Sequence, residues 1–249
     1  MRLTKVKKII REGWSRPERV EGWVDSQLYR EFADPSTRKE WKAVLRRAVG
    51  NGKGSPARTA LDIGTGPGTI AQFWSELDYQ TMGIDFSPRM LEAARQAARE
   101  RNLTIHYTEG DAEDPPFPDR SFNLISSRFL LFTLPHPGYA LRRWTQLLRE
   151  GGVLVLIGHD HPQNPENRGH HQQKKRKWRM SEEYRQALQE LPFKNHTSGE
   201  LRVVMEAAGL NDICSLKMDG VIEARARLGE RTPELGEFSS VPFVLVGRK

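Results

Sequence analysis

The 249-residue chain sets 39 lysines and arginines against 32 aspartates and glutamates, a net charge of +7, and is 37% hydrophobic with a single cysteine. That length allows one large domain with its own core, while one cysteine excludes an intramolecular disulfide framework and a cysteine-only zinc site. No apolar run approaches membrane-span length and MRLTKVKKIIREG shows no signal-peptide pattern, so a cytoplasmic location with no membrane partner is expected.

Residues 1–50 are predicted helical: WVDSQLYREFADPSTRKEWKAVLRRAV spaces apolar residues by three and four, and Asp34-Pro35-Ser36 stops and restarts the helix. NGKGSPA, 51–57, is a breaker-rich loop. Beyond it strands at 59–63, 80–84, 104–108, 122–126 and 152–157 alternate with helices at 69–77, 87–101 and 137–149, the rhythm of a doubly wound α/β sheet. The segment 158–198 breaks that rhythm; it is polar, holds five of the seven histidines, and contains the amphipathic EEYRQALQEL. A helix at 199–208, a Gly209 stop and strands at 211–218 and 241–247 follow, with 225–240 a charged loop. With no crossover helix between them, the last two strands are expected to pair antiparallel.

Two stretches are strongly basic, the N-terminus and RGHHQQKKRKWRM at 168–180. Charge of this kind can neutralise phosphates, but it also describes a solvated face or lid, and no nucleic-acid module accompanies it.

The chemistry is concentrated in ALDIGTGPGTIAQF. A buried strand runs into Gly64, Gly66 and Gly68 and then into a helix, which brings backbone N–H groups to a polar ligand. A P-loop is excluded, because its lysine is missing. The dinucleotide pattern G-x-G-x-x-G/A is met by Gly66 to Ala71, with Asp85 at the distance of a ribose acceptor. Yet Asp62 precedes the glycines, where a carboxylate repels a pyrophosphate and welcomes an ammonium. Asp62, Asp85 and Asp111 follow three successive strands and line one sheet edge. That row suits a ligand with an amine, a ribose diol and an adenine amino group but no phosphate, which is S-adenosylmethionine (SAM).

At this point the sequence resembles the class I SAM-dependent methyltransferases, in the small-molecule branch that includes ubiquinone-type enzymes. LDIGTGPGTIA, GIDFSPRML, GDAEDPPFPDRSFNLI and LLREGGVLVLIG are similar to four family motifs in order and spacing across about 58–158. The resemblance implies a Rossmann-like α/β fold: a doubly wound, mostly parallel seven-stranded sheet with a C-terminal antiparallel hairpin, N-terminal helices and a lid insert. It divides the chain into a helical cap, 1–57, and a SAM-binding domain, 58–249, with the lid at about 159–198. It also implies that Asp62, Gly64, Thr65 and Gly66 surround the methionine part of SAM and that Asp85 accepts the ribose hydroxyls. Phe86 and Met90 would lie near the adenine, Asp111 would accept its amine and the Ala112 N–H would reach a ring nitrogen. Ser127, within the stretch Ser126 to Phe129, would lie beneath the sulfonium.

The acceptor side is less determined. His159, Asp160 and His161 follow the fifth strand, and His159 is a candidate base. Trp23 and Tyr29 sit where the branch places an aromatic from an N-terminal helix near the methyl, Tyr29 being the second catalytic candidate. Both covering segments, 1–35 and 159–198, carry aromatics and charge without a strong apolar period. The expected partner is a small-molecule methyl acceptor, as in specialised metabolism, rather than nucleic acid, with the chain a monomer or homodimer and no metal. Three alternatives stay open: an RNA or protein methyltransferase, an enzyme that transfers or cyclises the aminobutyrate chain of SAM, and a non-catalytic SAM-fold binding protein.

Overall fold

The computed structural model describes residues 3–24, 32–50, 58–160, 181–194, 196–227 and 241–249. The strands are β1 (Thr59–Ile63), β2 (Gln80–Asp85), β3 (Ile105–Glu109), β4 (Phe122–Arg128), β5 (Leu148–Asp160), β6 (Asn211–Leu216) and β7 (Val241–Arg248). They form one sheet in the order β3-β2-β1-β4-β5-β7-β6, with β7 antiparallel to both neighbours and the remaining pairs parallel. The seven-stranded, mostly parallel sheet is therefore the one expected. The C-terminal pair is not a tight hairpin, however, because helix α9 (Asp219–Arg227) lies between β6 and β7, in a stretch whose end the sequence reading assigns to a loop.

The apolar run in β5 shows why both faces must be covered. Val153, Val155 and Ile157 enter one cluster and Leu154 and Leu156 the other, as the period of two in a strand requires. On the first face lie α3 (Pro35–Val49) and α4 (Thr69–Glu76), packing Trp41, Leu45, Phe73 and Trp74. On the second lie α6 (Pro137–Leu147) and α8 (Ser198–Ala207), packing Leu141, Trp144, Leu201 and Met205. Each large apolar side chain buried this way contributes about 1.5–3 kcal/mol. Helix α5 (Pro88–Glu100) sets Leu91, Ala94 and Ala98 against Tyr107 of β3.

Local signals place the helix starts. Asp34 caps α3 by accepting from the Thr37 N–H at 2.7 Å, ahead of Pro35 at the first helical position. Ser87 caps α5 in the same way, ahead of Pro88, and fixes the direction in which the chain leaves β2.

A third cluster stands apart from the sheet. Helix α1 (Leu3–Trp14) buries Val6, Ile9, Ile10 and Gly13 against Tyr184 and Ala187 of α7 (Glu182–Gln189) and the following Leu191. That i, i+3, i+4, i+7 stripe corrects the expectation that the N-terminal segment lacks an apolar period; it was masked by the lysines and arginines between its members. Helix α2 (Pro17–Val24) adds the buried Arg19, stacked on Trp14 at 3.9 Å and on Tyr184 at 4.5 Å and donating to the Tyr184 hydroxyl at 3.1 Å. The end of β5 is tied to the start of α8, since Asp160 accepts from the Ser198 backbone N–H and from Ser198 Oγ, the latter at 2.7 Å. Among the described residues no helix is long and apolar enough to cross a membrane.

Candidate functional site

The glycine turn after β1 sets the site. Gly66 has φ +52° and Gly68 φ +79°, in the left-handed region that side chains rarely adopt. A Cβ on Gly68 would fall 2.3 Å from the Tyr107 hydroxyl, so this residue also lets α4 approach β3 and α5. Nothing lies within 4 Å of a Cβ built on Gly66, because that side of the turn faces open space. The space is a cleft of about 640 Å³ at the carboxyl ends of β1, β2 and β4. Its position at the strand ends suits a cofactor of an open α/β sheet.

Asp62 lies in the cleft wall at 2% exposure. Ser126 Oγ donates to its Oδ1 at 2.6 Å and Thr65 Oγ1 to its Oδ2 at 2.7 Å. Trp74 Nε1 in turn donates to Ser126 Oγ at 2.8 Å, so one buried chain from α4 through β4 fixes the carboxylate. Burial pushes this acid up to about 6, against the hydrogen bonds of Ser126 and Thr65 and the positive charge of Arg128. Asp85 is also buried and pushed up to about 6, against backbone hydrogen bonds led by that of Ser87. Its Oδ1 accepts from the Ser87 N–H at 2.9 Å and its Oδ2 from the Gly66 N–H at 3.0 Å.

Aromatic rings close the walls. Phe86 follows Asp85, and Trp14 of α1 and Trp23 of α2 meet edge to face at 5.6 Å, all three lining the cleft with Met90. At the far end stand Arg128, Phe129, Leu130 and Thr133. Phe129 holds φ +54°, a conformation that costs a non-glycine residue about 1 kcal/mol, and it keeps its ring at the mouth of the cleft.

Of the residues singled out in the sequence, Asp62, Gly64, Thr65, Gly66, Asp85, Phe86 and Met90 come together around this cleft, with Trp23 opposite them. Asp111, Ala112 and Ser127 do not line it. Asp111 is half-exposed and pairs with Lys7 of α1 at 2.5 Å, and its Oδ1 accepts from the Glu113 N–H. Ala112 is buried and its carbonyl accepts from Trp144 Nε1. Ser127 donates its hydroxyl to the Ile63 carbonyl at 2.9 Å, so the ladder between β1 and β4 uses it. His159 is half-buried in β5 and meets the Phe129 ring edge-on at 4.9 Å rather than reaching the cleft itself. Tyr29, His161 and the basic stretch at 168–180 lie outside the described residues.

Sequence reasoning gave no role to Trp14, Arg128 or Thr133. Trp14 ends the amphipathic helix whose period was missed, and Arg128 stood inside a stretch considered only as a whole.

The family described as a methyltransferase domain matches residues 61–156, which span this turn and the strands that follow it. A phosphatidylethanolamine N-methyltransferase of Cereibacter sphaeroides is 30% identical over 138 residues, covering 54% of this chain and 67% of that protein. The chain belongs to the class I SAM-dependent methyltransferases. Its cofactor is S-adenosyl-L-methionine. A demethylmenaquinone methyltransferase of Deinococcus radiodurans is 35% identical over 114 residues, 45% of this chain and 47% of that one. The chain spans about half the length of most of the curated relatives it matches. The fold is similar to that of Haemonchus contortus phosphoethanolamine N-methyltransferase 2, with a TM-score of 0.65 at 17% identity over 96% of this chain and 60% of that one.

Proposed function

We propose that the protein transfers a methyl group from SAM to a nitrogen, oxygen or carbon atom of a small-molecule acceptor. The observation that carries this reading is the pairing of two buried, hydrogen-bonded carboxylates, Asp62 and Asp85, along one cleft at the carboxyl ends of the strands. The residues present fit the group. Asp85 already accepts from the backbone N–H groups of Ser87 and Gly66, and the lone pairs left on its two oxygens can accept ribose hydroxyls. The open side of Gly66 gives a ligand close approach to backbone. Asp62 faces the position of an ammonium, and Phe86, Met90 and Trp14 supply apolar surface for a purine. For Asp111 and the Ala112 N–H to read the purine's edge, the Lys7 pair that holds Asp111 outside the cleft wall would have to open.

Bound SAM supplies an electrophilic methyl on a sulfonium. The protein's part is alignment of the acceptor at near-attack distance in a space cleared of water, and for a hydroxyl or carbon acid removal of a proton. Phe129, Leu130 and Thr133 shape that end, and His159 behind the Phe129 ring is the base we assign, with Tyr29 a second contributor. Segments 1–57 and 159–198 act as the cap. Relatives named for demethylmenaquinone and phosphatidylethanolamine favour an organic small molecule over nucleic acid.

The test incubates the purified protein with SAM and a metabolite extract and follows products by mass spectrometry. An acceptor heavier by one methylene, with S-adenosylhomocysteine as coproduct, is the expected result. Methylthioadenosine as coproduct would mean aminobutyrate transfer, and salt-sensitive labelling of added RNA would replace the small-molecule acceptor. Binding of NAD without SAM would remove the reading altogether.

A further inference from the structure

Helix α1 turns two cations toward the acids of β3 and the turn that follows it. Lys7 Nζ lies 2.5 Å from Asp111 Oδ2 and 2.6 Å from Glu113 Oε2, and one turn later Arg11 pairs with Glu109. The two acids under Lys7 differ. Asp111 is half-exposed, whereas the Glu113 side chain is 7% exposed and its other oxygen accepts from the His136 N–H at 2.5 Å. The same helix backs the cleft wall. Phe86 packs on the α1 cluster, the Trp14 ring lines the cleft, and Ser87 Oγ donates to the Trp14 carbonyl at 3.3 Å. Asp111 is tied to that wall through the backbone, because the neighbouring Gly110 N–H donates to the Asp85 carbonyl at 3.1 Å. Lys7 thus neutralises Asp111 beside the apolar surface of Phe86, Met90 and Trp14, but it does not depend on Asp111 alone. With Asp111 taken by another donor the ammonium keeps Glu113, and the exchange gives up only an exposed pair, the weaker kind.

We infer that Lys7 stands in for the purine amine: it occupies Asp111 in the ligand-free protein and passes to Glu113 when a purine 6-amino group arrives. This rests on the cleft being the SAM site with Asp111 at the purine edge. Lys7 then sets affinity and purine discrimination without touching the cofactor. Its charge stays paired in both states, so α1 and its apolar stripe need not leave the wall for Asp111 to be released. The consequence is a fractional population. Asp111 is ready for the ligand only in molecules whose lysine has already moved, and apparent affinity falls by that fraction.

The experiment is calorimetric titration of the full chain with two probes, S-adenosylhomocysteine and S-inosylhomocysteine, which carries a carbonyl in place of the 6-amino group. Lys7→Met should tighten S-adenosylhomocysteine about two- to fivefold, the range of one exposed ion pair, with no gain for S-inosylhomocysteine. Lys7→Gln, which keeps a donor for Glu113, should give a gain of the same sign. Glu113→Gln has the opposite effect: the lysine loses its second acid, stays on Asp111, and should weaken S-adenosylhomocysteine by about twofold or more. The double variant Lys7→Met with Glu113→Gln should return to the affinity of Lys7→Met, because without the lysine Glu113 has nothing to retain. A role of Lys7 in supporting α1 would weaken both probes in every variant, and that result overturns the inference. So does unchanged S-adenosylhomocysteine affinity in Lys7→Met, or a gain shared equally by the two probes. Wild type that binds neither probe would overturn the SAM reading and the inference with it. Binding of both probes with none of these shifts leaves that reading standing and removes only the role of Lys7.

Discussion

Cofactor affinity should fall steeply between neutral and mildly acid pH, and the size of the fall follows from two carboxyls. Asp62 and Asp85 are each pushed by burial to about 6 in the protein without ligand. Binding requires both ionised, one against an ammonium and one against two hydroxyls, so both lie lower in the complex and protons are released on binding below pH 6. At pH 5 each is then ionised in about one molecule in eleven, which weakens binding by about tenfold or about 1.4 kcal/mol per group. From pH 7.5 to 5 the loss for the pair is about 100-fold. Calorimetric titration with S-adenosylhomocysteine at pH 7.5, 6 and 5 measures it, and Asp85→Asn should remove one of the two factors while lowering affinity at neutral pH. A dissociation constant level within about threefold across that range would refute the argument, because neither acid would be acting as an ionised acceptor.

Folding stability has the opposite sign for these two groups. Their folded values lie above the ordinary 3.8, so ionisation opposes folding, and that opposition is relieved as the pH falls from about 7 towards 4. Glu76, for which the ion pairs of Arg38 and Lys42 outweigh the upward pull of burial, lies below its ordinary 4.5. Its stabilisation is present above about pH 4.5 and is lost only as the pH falls through its lower folded value. Lost binding at pH 5 is therefore a property of the cleft, and a thermal-unfolding scan of the ligand-free protein at each pH separates it from unfolding.

Gly68→Ala should destabilise by about 2–4 kcal/mol in urea unfolding, since the new methyl overlaps the Tyr107 hydroxyl at a positive φ; a loss under about 1 kcal/mol would mean the turn relaxes. Trp74→Phe removes the donor to Ser126 and should cost about 1–3 kcal/mol together with a several-fold drop in S-adenosylhomocysteine affinity. Stability lost with affinity intact would show that Asp62 does not depend on the buried chain. Lys7→Met breaks the ion pairs to Asp111 and Glu113; the exposed pair to Asp111 is worth less than about 1 kcal/mol, and the loss of the partner of the buried Glu113 should bring the total to about 1–2 kcal/mol. It should also speed hydrogen exchange in residues 3–14, and unaltered exchange there would mean the apolar stripe alone holds α1. His159→Ala should lower turnover and leave S-adenosylhomocysteine affinity unchanged; a matching loss of affinity would make it a support for Phe129.

What could be read from the sequence was whatever has a short period or a local rule. The alternation of strands and helices and the glycine turn follow from neighbours within four residues, and the structure has them where expected. The acids after β1 and β2 were legible because the strand ends locate them. Three things were not. The stripe of α1 is four small or branched residues among charges, and its partner Tyr184 lies far along the chain. The hydroxyls of Ser126 and Ser127 look alike in sequence, yet strand alternation sends one to Asp62 and the other to the Ile63 carbonyl. Arg128 looks like an ordinary charge at a strand end until Phe32, from before α3, is seen to stack on it.

The clasp between Asp160 and Ser198 has a meaning for how this protein changes over generations. Two hydrogen bonds hold the chain where it leaves the sheet and where it returns, 38 positions later. The entropy of closing such an excursion grows only with the logarithm of its length, so doubling it costs about 0.6 kcal/mol. A segment anchored at its two ends can therefore be lengthened, shortened or rewritten without disturbing the ladder of β5 or the cap of α8. Changes in the length of the chain between Asp160 and Ser198 thus leave β5, α8 and the half of the cleft built on β1 and β2 where they are.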